Sequence, residues 1–340
     1  MREMTSNKVV RRVQLTGGST FIVSIPKEWA EKLSIGKGSL LVLSLENDGS
    51  IRIVPSLKRP EALSSAEVSV REDTTRGAAL REVMSKYLMG YKMIRVVFER
   101  DDPEFRHVLK DTIARKLIGV EILHEDSREV VLQVLVNVED LPVSTIITKM
   151  RDAVTGMLED VKAALGGGDV EKIASEIVSR DDIVDKLYLY GLRQLHAALR
   201  GYVGLEEIGL RKVEEVLPHG MVLKNIERIA DHAASIAQAL PHVREAEKIK
   251  NPISTLSDKV SEFFTASVHV FLDRDKTTAN RLLDVDAEKL KALERKVFDE
   301  LARRIPEEIL AVRLMVGSYR RIFDYSTDIL EATIDLHDIT

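Results

Sequence analysis

Apolar residues along the chain change their spacing twice, and the two changes divide it into three parts. The first part holds short apolar runs. "VVRRVQL" (residues 9–15) and "STFIVSIP" (19–26) predict strands, and "PKEWAEKLSI" predicts a short helix entered through Pro26. "GSLLVLSL" (38–45) and "SIRIVP" (50–55) predict two more strands, with a hairpin turn at Asp48 and Gly49. The order β-β-α-β-β within residues 1–58 is too short to enclose much core. A strand set that small requires a partner chain, so residues 1–58 are expected to form a homodimer.

The second part, residues 59–140, alternates strand and helix patterns. "AEVSV" and "YKMIRVVFE" predict strands, and "TRGAALREVMSKYLMG" predicts a helix ending at Gly90. "DPEFRHVLKDTIARKLIG" predicts a second helix, with Asp102 as N-cap, Pro103 in its first turn and Gly119 past its end. "VEILHED" and "REVVLQVLVNV" predict a hairpin. The order β-α-β-α-β-β describes a small α/β domain. It has no glycine-rich phosphate loop and no nucleophile elbow, and is read as a connector.

From residue 141 to 340 the period is helical throughout. Six stretches are predicted, at about 143–165, 169–200, 205–240, 252–272, 275–304 and 306–338. Their length suits a bundle of antiparallel neighbours. Pro218 and Gly220 fall inside the third stretch and are expected to kink or divide it.

The six stretches form two threes, about 141–241 and 252–340. "NIERIADHAASIA" (225–237) lies on the third and "SYRRIFDYSTDIL" (318–330) on the sixth. Aligned, Arg228 meets Arg321, Ile229 meets Ile322, Asp231 meets Asp324 and Ile236 meets Ile329. The identities fall on the last helix of each half, as an internal duplication requires. In the first copy Glu227 and Asp231 are four apart and share one face, away from the apolar stripe of Ile226, Ile229, Ala233 and Ile236. Like charges at that spacing repel by roughly 0.2–0.5 kcal/mol. Either Lys224 and Arg228 offset them locally, or a hard divalent or trivalent metal ion does, since paired carboxylates are oxygen ligands.

Composition narrows the readings. The 340 residues contain no cysteine, which excludes a disulfide framework and a thiolate metal site. No run of 18 apolar residues is present, so no integral membrane segment is expected, and the start lacks the apolar core of a signal peptide. The expected location is cytoplasmic. Net charge is −5, yet residues 1–60 carry ten Lys and Arg against five Asp and Glu. A basic head on an acidic body points to an anionic partner for the head.

The motif "NIERIADHAASIA" resembles the signature of the PhoU family of phosphate-uptake regulators. That resemblance implies two three-helix repeats over about 141–340, each with an acidic motif that holds metal in some members. "DDIVDKL" (181–187) is similar to the family's second-helix acidic motif, which implies that Asp181 and Asp185 stand beside Glu227 and Asp231 as metal ligands. The second repeat departs from the pattern: Arg320 stands where the family has Glu, ahead of Asp324 and Asp328, and a guanidinium there repels a metal ion and can itself pair with Asp324. The head, "RRVQLTGGSTFIVSIPKEWAEKLSIGKG", resembles the AbrB/SpoVT swapped-hairpin module. This implies an obligate dimer with interleaved hairpins, and DNA contacts from Lys8, Arg11, Arg12 and Lys27. Trp29, Ala30 and Glu31 replace basic residues common in the DNA-binding relatives. As a whole the chain resembles archaeal-type phosphate uptake regulators.

Two readings follow. In one the protein is a DNA-binding regulator of phosphate genes. In the other it is an adaptor that contacts a phosphate transporter or its sensor kinase, with the head serving only to dimerise. A metal-dependent phosphatase would need a nucleophile or a water activated on a bound cation. No nucleophile motif accompanies the carboxylates, and the chain is expected not to be an enzyme.

Overall fold

The computed structural model describes residues 8–45, 49–55, 64–137, 140–167, 169–243, 246–304 and 309–339. They fall into two units, Met1–Arg59 and Pro60–Thr340.

In the first unit, β1 (Gln14–Thr16) pairs antiparallel with β2 (Thr20–Ile22), α1 spans Lys27–Lys32, and β3 (Leu41–Leu45) pairs antiparallel with β4 (Ile51–Pro55). The strand predicted over residues 9–15 is shorter than expected. Val9 to Val13 lie outside it, because β2 offers only three residues to pair with and, among the described residues, no other strand runs alongside. Arg11 and Arg12 therefore precede the ladder. Asp48 lies outside the described residues. No described residue of this unit is buried, and Val10, Phe21, Leu40, Leu43 and Leu45 are among its exposed apolar side chains.

The second unit opens with a four-stranded sheet of β5 (Ser65–Val70), β6 (Met93–Phe98), β7 (Val120–Glu125) and β8 (Glu129–Val134), in the order β5-β6-β8-β7. β5 and β6 are parallel, joined through α2 (Arg76–Leu88), and the other pairs are antiparallel. Asp102 caps α3 (Pro103–Lys116) by accepting from the Phe105 amide, as the sequence leads one to expect. Alternate residues Ile94, Val96, Leu132 and Val134 turn to the helices and are buried with Tyr87, Phe105 and Leu109.

The remainder is helical: α4 (Val143–Ala164), α5 (Val170–Leu199), α6 (Val216–Ala239), α7 (Ala246–Asp273), α8 (Lys276–Arg281), α9 (Ala287–Arg304) and α10 (Ile309–Ile339). One apolar core runs through both threes of helices, from Ile146 and Met150 on α4 to Ile322 and Leu330 on α10. The third predicted stretch starts late. Two 3-10 turns, Glu206–Ile208 and Val213–Glu215, come first, and α6 begins at Val216, so Pro218 sits in the first turn where a missing N–H costs nothing. α7 begins six residues ahead of Pro252, which lies inside it, and a π-helical stretch (Leu282–Asp286) interrupts the helix predicted over 275–304. On α5, a Cβ at Gly191 would stand 2.8 Å from the Leu223 side chain, so glycine permits the close approach of α5 to α6. That approach brings the acidic turns of the two helices together.

Candidate functional site

α5 turns Ile177, Val184 and Leu187 into the core, which leaves Asp181, Asp182 and Asp185 on its flank. α6 buries Ile226, Ile229, Ala230 and Ala233, which leaves Glu227 and Asp231 facing the same way as one another. Because α5 and α6 lie side by side, carboxylates from both act on one another. Burial pushes Asp181 up to about 7, and Asp185, Asp231 and Glu227 push in the same direction. Glu227 is raised by burial against the pull of Lys224, and Asp231 by burial and Asp185. The Oδ1 atom of Asp181 is buried without a hydrogen-bond partner.

Two ammonium groups offset part of this charge. Lys224 Nζ donates to Glu227 at 2.5 Å, as the local reading of the motif expects. Arg228 turns instead over the ring of Tyr325, 5.5 Å from its centroid. The second ammonium comes from outside helices α4 to α10, though from the same unit. Lys116, the last residue of α3, donates to Asp185 at 2.8 Å. Nothing in the sequence marks Lys116, which is 69 residues away and ends a helix whose C-terminal turn favours basic residues in any case. A second link runs in parallel. Arg193 on α5 is buried and donates to the carbonyls of Tyr87 and Tyr91 at the end of α2.

The four carboxylate groups suit a hard cation in kind, and Asp181 keeps an unsatisfied buried oxygen that such an ion would take up. Among the described residues no three His, Asp or Glu side chains converge on one point as ligands, Asp185 and Glu227 being held by the lysines.

The second repeat carries its own cation. Arg320 Nε donates to Asp324 at 2.8 Å, and its Nη1 reaches Glu294 on α9 at 3.5 Å. A guanidinium thus bridges the last two helices of the second repeat, in the position where the first repeat has Glu227, which Lys224 holds. Asp328, one turn on, is pushed up by burial and by Asp324.

In the head, Lys8, Arg11 and Arg12 are exposed on the segment before β1. Lys27 opens α1 and lies 3.6 Å from Glu31, one turn away. Among the described residues no helix is long and apolar enough to cross a membrane.

A family model described as the PhoU domain matches residues 147–240 and again 253–333, together just over half of the chain. The model of the antidote-toxin recognition protein MazE, a bacterial antitoxin, matches residues 14–61. No curated protein matches the chain.

Proposed function

The chain belongs to the PhoU domain family, with an AbrB-like antitoxin domain at its N-terminus, and from that premise we propose that it regulates phosphate uptake and homeostasis as a DNA-binding dimer. The observation that carries the reading is the joining of two PhoU repeats to a basic head in which no described residue is buried and many large apolar side chains stay exposed. Phe21 is 73% exposed and Leu45 79%. Strands so uncovered call for a second head, whose hairpins interleave with the first and give Val9 to Val13 a strand to pair with. Dimerisation doubles the cationic set of Lys8, Arg11, Arg12 and Lys27, and the doubled set suits a phosphate backbone.

The helical tail then acts as the responsive part. To be held by Asp181, Asp185, Glu227 and Asp231 together, a hard metal ion would have to draw Asp185 from Lys116 and Glu227 from Lys224 and bring the four carboxylates closer, and it would then neutralise the acidic centre. Through Lys116 such competition reaches the α/β domain. The identity of the ion follows from the donors only as far as an oxygen-preferring divalent or trivalent cation. Regulation by binding, with no catalysis, agrees with both families.

The adaptor reading has its own support: α1 carries Trp29, Ala30 and Glu31 in place of basic side chains, and Glu31 engages Lys27. DNA titration separates the two. The full chain is mixed with a duplex from its own upstream region across a salt series. Binding is expected to weaken steeply with salt, with a slope of about −0.9 per phosphate engaged. Replacing Arg11 and Arg12 by Ala is expected to reduce affinity on every sequence at least ten-fold, and to flatten the slope by about one for each phosphate no longer neutralised. Salt-independent binding, or none, transfers the function to protein contact.

A further inference from the structure

We propose that the groove between the C-terminal end of α5, the start of α6 and the end of α10 is a docking site for a basic amphipathic helix of a partner protein. The groove measures about 940 Å³. Its floor is apolar, and four large side chains on it are open to solvent: Leu199, Val213, Met221 and Leu217, the last 70% exposed. Exposed apolar residues scattered singly need no explanation, but a contiguous set lining a concavity marks a contact surface. From Val216 to Lys224 the α6 side of the groove spans about 12 Å at 1.5 Å per residue, about two turns of helix, and the 3-10 turn of Val213–Glu215 extends it.

Charge selects the occupant. Glu214, Asp335 and Asp338 stand on the rim. They continue an acidic stripe on the outward side of α10, where Asp324, Asp328, Glu331, Asp335 and Asp338 recur every three or four residues. Arg320 holds Asp324, and Lys276 holds Asp338 at 2.5 Å. Among the described residues no cation pairs with Glu214, Glu331 or Asp335. The lysine lining the groove is turned elsewhere: Lys224 lies on Glu227 and 5.0 Å from the centre of the Tyr188 ring. Like charges in such a row repel, and a solvated acidic face gains from basic side chains brought against it. An apolar floor with an acidic rim fits a helix that carries leucine-like residues on one face and Lys or Arg beside them. The same rim repels an anionic bilayer, so a protein segment is the better match.

The test uses the full chain and two dye-labelled synthetic peptides of fourteen residues, one of Leu and Lys and one of Leu and Glu, with the leucines at helical spacing. Anisotropy is expected to show the Leu–Lys peptide binding at least ten-fold tighter. Leu217→Ser should weaken it at least ten-fold, and so should Glu214→Lys with Asp335→Lys. Glu121→Lys, on β7 of the α/β domain, should leave binding unchanged. These positions are on the surface, and the two lysine replacements leave the core untouched, so folding is checked by an unchanged melting curve and does not limit the result. Equal binding of both peptides, or binding indifferent to Leu217→Ser and to the charge reversal alike, overturns the proposal. So does a fall in the sedimentation mass of Leu217→Ser alone, which would assign the groove to contacts between copies of this chain. Co-sedimentation of the wild type with phosphatidylglycerol vesicles, abolished in Leu217→Ser, would assign it to a bilayer and overturn it as well.

Discussion

Replacing Arg274 by Met is expected to lower the stability of the unit from residue 60 to 340 by about 3–5 kcal/mol, the usual cost of leaving one buried charge without its partner. Arg274 stands at the turn between α7 and α8, and Glu215 immediately precedes α6. The guanidinium donates to both carboxylate oxygens of Glu215, each at 2.8 Å, and the Arg211 amide adds a third hydrogen bond at 3.3 Å. Glu215 is fully buried. Burial alone would raise its carboxyl, but Arg274 and the Arg211 amide hold it below the usual carboxylate range. The pair ties the first helical repeat to the second, so its removal should move the midpoint of urea unfolding for the whole unit. Removing both charges, with Glu215→Leu and Arg274→Met together, should recover most of the stability, because no orphaned charge then remains. A single variant as stable as the wild type would show that water reaches Glu215.

The acidic centre should respond to cations asymmetrically between the repeats. Saturating magnesium or manganese, at about 100 times the dissociation constant, should stabilise the native chain by about 2.7 kcal/mol, read as a rise in melting temperature of about 5 °C. Glu227→Ala with Asp231→Ala should abolish the rise. Asp324→Ala should largely spare it, since Arg320 already supplies a cation there. An equal effect from both repeats would show that Arg320 does not block the second site. In chelated protein the pH dependence has a definite sign. Asp181 is raised from 3.8 in the unfolded chain to about 7 in the folded one, so the folded state holds the proton more firmly. The stabilisation is complete below about pH 4 and is lost as pH rises through 7. After allowance for solvent screening of this half-buried group, the effect is about 1–2 kcal/mol. Asp181→Asn should therefore be the more stable form at pH 8 without metal, and should lose that advantage at pH 4. A melting curve of the wild type that is flat between pH 4 and 8 would contradict it.

The helices are legible in the sequence because each one keeps a long apolar stripe at a constant period, and breaks at Gly201 and Asp273 punctuate them. The start of α6 is harder to place because Pro218 reads as a breaker, whereas in a first turn it is neutral. The acidic motifs are visible in sequence as spaced carboxylates, and the Arg320 to Asp324 pair follows from their spacing on one helix. Lys116, Arg193 and the Glu215 to Arg274 pair are not visible. Each joins elements far apart in the chain, and side chains that meet only through tertiary packing leave no local pattern. The head shows the opposite problem. Its strand pattern from Val9 to Leu15 is clear, yet among the described residues a single chain provides too few partner residues to form that strand.

The most direct measurement compares transcript levels of phosphate transporter genes, together with phosphate uptake, in the source organism with and without this gene, under phosphate limitation and phosphate excess. With the gene present, both should fall when phosphate is in excess. Without it, transcripts and uptake should stay high or stay low irrespective of phosphate, and the Arg11→Ala, Arg12→Ala gene should fail to restore the transcript response. A strain lacking the gene that adjusts both normally to phosphate would contradict the account.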